Sequence, residues 1–480
     1  VTDDVLLGED HYRLFGPELK RWVLAAIGLR LILMPIAGHY DLLYAYGYSA
    51  RLISGTIDWA QMDADHAAYL LHTVALKTLQ PFVKTFVLSG GTVGIDEGTW
   101  GFWHAYARTP EIFRAFALFK LPYLGFDMLS AWLLLRVIGR DSRAVSAVKL
   151  WLFNPVTIFV TYMFGRFDIM AVPFLLGSML SLKNRKVGLG GLLFGMCVAI
   201  RFYYILFVPA YAAISSHKWR DRTVVFFFAL FPIVLQTASL AAGVFPLVFP
   251  LSIVILALLL CQERLRQHEI AVLVLSFAGA LTLLFANPRA IGSALSHSGF
   301  GMAEYALHTS YPFRAKIELW RYEIIYPVFV LYGLFVFYAV GRKRWRLSSF
   351  AALFAIFLLA YYSFSFFHPQ YLVVLAASVV LASGWNERIV KPYLVQCVLA
   401  LLLVFNYGAH TTNYLFAPLA PEAVFSSTEL LSFVEGVLGA TGPRIIIGIP
   451  RSLFVAASFW MIWHLFKTAR DVEERRASAE

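Results

Sequence analysis

Residues 154–172 read NPVTIFVTYMFGRFDIMAV, apolar enough to cross a bilayer except that Arg166 and Asp168 stand in the middle. In hydrocarbon a charged side chain costs about 2.5–3.5 kcal/mol on insertion scales, so it persists where it meets water, a partner or a substrate. The stretch therefore reads as one membrane span ending and the next beginning, with a charged turn between them.

The rest of the chain supports that reading. Of its 480 residues 60% are hydrophobic and 14% charged, and its mean hydropathy is +0.69. A spanning helix needs about 20 largely apolar residues, and apolar runs recur from 22–38 to 444–466. The composition predicts an all-α polytopic membrane protein in which one domain, 22–466, takes up nearly the whole chain. Residues 1–21 carry mixed charge, and the first apolar run, at Trp22, lacks a small-residue cleavage site, so no cleavable signal is expected. Cys197, Cys261 and Cys397 lie in or at the edges of apolar runs and imply no disulfide framework.

The net charge of +11 is spread over short connectors: GRDSR (139–143), KNRK (183–186), SHKWRDR (216–222), CQERLRQ (261–267), GRKRWR (341–346), NERIVK (386–391) and the tail KTARDVEERR (467–476). Three connectors are long, 39–112, 287–322 and 411–443. Basic connectors in the cytoplasm and long ones outside satisfy the positive-inside rule and argue against a nucleic-acid partner. KNRK and SHKWRDR are separated by the single run 188–214, so this run is expected to enter and return as a half-depth helical pair, broken near Arg201. The expectation is about 12 full spans plus that pair, with residues 1–21 and the tail 467–480 cytoplasmic. Within 39–112, YDLLYAYGYSARLIS and DADHAAYLLHTVALKTLQPFV read as amphipathic surface helices, and SGGTVGIDEGTWG (89–101) as a plain loop.

Several polar residues sit where apolar surface is expected. Asp41 follows the first span beside His39; it can serve as a general base or cap the next helix, and the residues alone leave both open. Arg30 and Asp127 stand at similar depths in the first two spans and read as a self-neutralising pair. Arg166, Asp168, Arg201 and His368 (in FSFFHPQYLVV) gather towards the outer face. Arginine's fork suits phosphate, so these residues suggest a polar cavity for an anionic headgroup. No HExxH, Cys/His pairing or GxSxG occurs, so no metal, cofactor or serine nucleophile is expected.

These segments resemble the GT-C superfamily, polytopic glycosyltransferases that take a sugar from a polyprenyl or dolichyl phosphate outside the cytoplasm. The acid just after the first span, in HYDL, is similar to that class's acid position, and NPVTIFVTYMFGRFD to its Gly-x-x-Asp segment. AIRFYYILFVPAY resembles a segment in which the class usually carries Lys, here Arg201. SYPFRAKIELW (310–320) and SFSFFHPQYLVV (363–374) are similar to loops of the dolichyl-phosphate-sugar enzymes; HPQY also resembles the GPI-anchor mannosyltransferases. The tandem acidic pair of several branches is absent. The resemblance implies inverting transfer of a hexose, mannose or glucose, to a lipid-linked glycan or other acceptor outside the cytoplasm, with Asp41 as base. It implies Arg201, Arg314, His368, Arg166, Asp168 and His39 as binding residues about the donor phosphate. It places the protein in the cell membrane of a prokaryote or the endoplasmic reticulum of a eukaryote, with the site facing outward. The competing reading is a lipid-linked-glycan transporter or flippase, which would call for inverted repeats; none is seen in the sequence.

Overall fold

The computed structural model describes residues 17–59, 65–82, 103–139 (except 105), 142–261 (except 242), 316–342 (except 321 and 322) and 346–477. Helix α1 (Pro17–Ile36) bends by 79° into α2 (Tyr40–Ser54), which covers the first of the two segments expected as surface helices. The second contains α3 (His66–Leu79). Then come α4 (Glu111–Phe119), α5 (Leu121–Ile138), α6 (Ser142–Leu152) and a short turn at Pro155–Ile158 that runs into a π-helical stretch, Phe159–Phe164. Helices α7 (Val172–Lys183), α8 (Val187–Ile200), α9 (Val208–Ser215), α10 (Trp219–Ala241) and α11 (Phe245–Cys261) follow. A two-stranded antiparallel hairpin, β1 (Ile317–Trp320) with β2 (Glu323–Ile325), departs from the all-α expectation. The remaining helices are α12 (Pro327–Gly341), α13 (Leu347–Phe364), α14 (Leu372–Ser383), α15 (Val390–Leu403), α16 (Pro421–Phe425), α17 (Leu430–Leu438) and α18 (Thr441–Ala477).

The expected count of about 12 full spans is not confirmed among the described residues. Among the described residues six helices are long and apolar enough to cross a membrane, or seven if the bent α1–α2 pair counts as one. Several expected spans are instead shorter apolar helices: Phe245–Ala257, Pro327–Gly341 and Pro369–Ser383. At 14 residues, α8 is about 21 Å long, short of the roughly 30 Å hydrocarbon core. The expected run 269–286, the loop 89–101 and Arg314 lie outside the described residues.

The run 188–214 reverses where the sequence predicts. Helix α8 ends at Ile200 and Arg201 leaves helical geometry, with φ −137° and ψ 94°. A 3-10 turn, Phe202–Phe207, then leads into α9. Phe194 on α8 stacks on Tyr211 of α9, centroids 3.8 Å apart, so the two helices fold back on one another. Gly191 packs on Val225 and Phe228, and Gly195 on Ala229 and Pro232. Contacts that advance together along both helices make α8 and α10 parallel, which requires the chain between them to return.

That reversal gathers the basic connectors at one end of the bundle. Lys183 donates to the carbonyls of Arg136 and Val137. Arg222 donates to those of Ala339 and Val340. Asn386 reaches His464 and Thr468, Gly384 lies against Ile138, and Tyr338 packs on Phe466. Arg30 and Asp127 form the expected pair: both are fully buried, with Nε to Oδ2 2.7 Å. Trp151 and Tyr162 donate to the same carboxylate, so Asp127 is a hub joining α1, α5, α6 and the π-helical turn.

Candidate functional site

The opposite end of the bundle collects the charges that the sequence singles out. The α1–α2 bend is tight because Gly38 lies against the Phe116 ring, leaving no room for a Cβ. His39 caps α2: its Nδ1 accepts the Asp41 amide at 3.1 Å. The capping role considered for Asp41 thus falls to His39, and the Asp41 carboxylate is left to project from the first turn.

Across from it, the π-helical turn closes at Gly165 in the left-handed region, φ +83°. A Cβ there would sit 3.2 Å from Leu42, so glycine supplies both the turn and the close approach to α2. Lys120, fully buried, draws the same elements together by donating to the carbonyls of Met34, Ala37 and Tyr162. The end of α1 carries partial negative charge, which suits a cation there.

This local geometry brings Arg166 onto Asp41, Nη1 to Oδ2 2.5 Å, with the two side chains 16% and 20% exposed. Asp168 lies 4.0 Å from the Arg166 Nε. Asp168 is fully buried and receives Arg201 through both oxygens, at 2.7 Å and 3.0 Å. Arg201 also donates to Asp65 at 2.6 Å, and its guanidinium lies over the rings of Phe167 and Tyr371 at 4.5 Å and 5.5 Å. The result is an unbroken alternation of Asp41, Arg166, Asp168, Arg201 and Asp65: three carboxylates against two guanidiniums, a formal charge of −1.

Both arginines expected to meet an incoming anion are therefore already held by carboxylates. Burial pushes the Asp41 carboxyl upward, but the Arg166 guanidinium outweighs it and holds the group well below the usual carboxylate range. The pair keeps Asp41 ionised and lowers its appetite for a proton. Burial depresses the His39 imidazole, which fits a neutral ring with Nδ1 as acceptor.

The structure brings together Asp41, His39, Arg166, Asp168 and Arg201. His368 borders the group: its ring packs on Tyr407 at 4.7 Å and at 6.0 Å from Tyr371, the ring that meets Arg201. Asp65 escaped the sequence reading. It adopts φ +59° at the start of α3, and its other oxygen accepts the Phe202 amide at 3.3 Å. A carboxylate just before an apolar helical run, as in DADHAAY, is the signal that marks it, and this signal also suits an ordinary helix cap. Beside Tyr371, Tyr203 meets Tyr362 hydroxyl to hydroxyl at 3.0 Å. Among the described residues no cluster of His, Cys, Asp and Glu is arranged to hold a metal.

No protein-family model matches the chain, and no solved structure does. Among curated proteins the chain is similar to the catalytic subunit of GPI alpha-1,4-mannosyltransferase I of Danio rerio, 29% identical over 147 residues. The match takes in 29% of this chain and spans 37% of that relative's length.

Proposed function

We propose that the chain is an integral-membrane glycosyltransferase that moves a hexose from a polyprenyl phosphate to an acceptor outside the cytoplasm. The observation that carries the reading is Asp41. It is a partly exposed carboxylate at the 79° bend after the first long apolar helix, at the end of the bundle away from the basic connectors. The likeness to a mannosyltransferase supports the same class and favours mannose. The gathered basic connectors support a cytoplasmic face at their end, which puts Asp41 outside.

In this reading the acceptor hydroxyl oxygen attacks the anomeric carbon and gives its proton to Asp41. The bond from that carbon to the phosphate oxygen breaks, and the lipid phosphate leaves with the electron pair, inverting the configuration. Arg166 links the two halves of the reaction. A donor phosphate that draws Arg166 to itself frees Asp41 from the pairing that depresses its basicity, so the base gains strength when the donor is bound. Arg201, held by two carboxylates, serves mainly to fix Asp168 and the Phe167 and Tyr371 rings, with Arg314 and His368 left as further partners of the leaving phosphate.

The test uses purified full-length protein with labelled polyprenyl-phosphate mannose or glucose and a membrane lipid extract. Label appearing in a lipid-linked product supports the proposal and names the sugar. Transfer from a nucleotide sugar, with none from either lipid-linked donor, would contradict it.

A further inference from the structure

A second polar feature lies at the same end of the bundle, on the other side of the 363–371 segment from the charged cluster. Arg451 stands within the apolar helix α18, where an unneutralised guanidinium is costly. Among the described residues it enters no ion pair, and its hydrogen bonds all run from Nη2 to the carbonyls of Tyr362, Ser363 and Ser365, at 2.8–3.1 Å. Those carbonyls end α13, whose negative pole favours the cation. Nε and Nη1 make no hydrogen bond among the described residues, and the guanidinium face rests on Phe367 and Phe454 at 4.7 Å and 5.5 Å.

Beside Arg451 is a cavity of about 420 Å³, whose lining includes Ser365, Asn406, Tyr407, Phe364 and Ile447. The Ser365 hydroxyl is buried, at 1% residue exposure, and has no hydrogen-bond partner among the described residues. An orphaned buried hydroxyl calls for an explanation, and the half-used guanidinium beside it supplies one: both wait for an acceptor. The neighbouring α18 residues Ile446, Ile449 and Leu453 are exposed, as suits a surface in contact with lipid tails. A ligand arriving from that side would bring a headgroup to the cavity and leave its chains in the bilayer.

We infer that this cavity binds the phosphate of an anionic lipid, with Arg451 and Ser365 as its donors. A fork of N–H groups and a hydroxyl match phosphate oxygens, and the apolar walls match the first carbons of the chains. The phosphate can come from a bilayer phospholipid or from a polyprenyl phosphate, and the chemistry is the same. The inference does not rest on glycosyl transfer.

The experiment is native mass spectrometry of the full chain in neutral detergent, titrated with phosphatidylglycerol, with polyprenyl monophosphate and, for comparison, with zwitterionic phosphatidylcholine. The expected result is retention of one anionic lipid at a concentration about tenfold or more below that needed for phosphatidylcholine. Arg451→Gln should remove that preference and Arg451→Lys restore part of it. Because Arg451 also secures the end of α13, Ile447→Trp, which fills the cavity and leaves those bonds in place, should remove the preference in a folded protein. Stronger retention of phosphatidylglycerol assigns the site to bilayer lipid, and stronger retention of polyprenyl phosphate assigns it to the carrier. Equal retention of phosphatidylcholine, or retention by Ile447→Trp equal to that of the unaltered protein, would overturn the inference.

Discussion

Arg201 grips both oxygens of Asp168, at 2.7 Å and 3.0 Å, while its Nη1 holds Asp65 from 136 positions earlier in the chain. Burying a guanidinium and a carboxylate costs several kcal/mol each, which only close pairing offsets. Arg201→Ala leaves Asp168 buried and uncompensated, so it should lower stability by about 3–5 kcal/mol. Arg201→Ala with Asp168→Ala should be better folded than either single change. Melting temperatures of the three purified variants check this, and a double variant as weak as the two losses added would refute the pairing.

Gly165 makes a sharper local test. At φ +83° and with Leu42 at 3.2 Å from a would-be Cβ, Gly165→Ala is strained in both backbone and packing. A loss of about 1–3 kcal/mol is expected. The larger effect should be on function, since the shift moves Arg166 away from Asp41. Transfer should fall further than thermal stability alone would predict, as measured by turnover at a temperature where the variant is fully folded.

The Asp41–Arg166 pair gives a pH prediction. With its carboxyl depressed, Asp41 contributes stability that is present above the ordinary carboxylate pKa of about 4 and is lost as pH falls below it. Arg166→Gln removes the main opposing influence and lets burial raise the pKa. The acid limb of kcat/KM should then move to higher pH than in the unaltered protein. An unmoved limb would mean that Asp41 is not the group that titrates.

For topology, single cysteines at Asn184 and Trp219 should label from the same side of intact membranes. The parallel course of α8 and α10 requires that the chain returns between them. Labelling from opposite sides would rule out the return.

The sequence carried the elements further than their connections. The α2 segment was legible because its apolar positions recur at helical spacing, and the break near Arg201 because two basic connectors flank one run. The count of spans is not confirmed among the described residues. Windowed hydropathy scores a run such as 168–182 as a span, whereas polar turns at Gly165–Asp168 and Arg201 cut the helices to 12 and 14 residues. Asp41, Arg166 and Arg201 could be named as charges in need of a reason, yet their pairing spans separations of 125 and 136 positions. Such partners are set by tertiary packing, and no local pattern records them. Neither Asp65 nor Arg451 was singled out: the one is a carboxylate before an apolar run, the other a lone cation within one.

The most direct measurement is single-turnover transfer from labelled polyprenyl-phosphate mannose by the unaltered protein and by Asp41→Asn, both checked for folding. The amide keeps the size and loses the basicity, and His39 keeps the cap of α2. The account predicts transfer by the unaltered protein and a fall of about 100-fold or more in the variant, with donor binding retained. Transfer by Asp41→Asn at near the unaltered rate would contradict it.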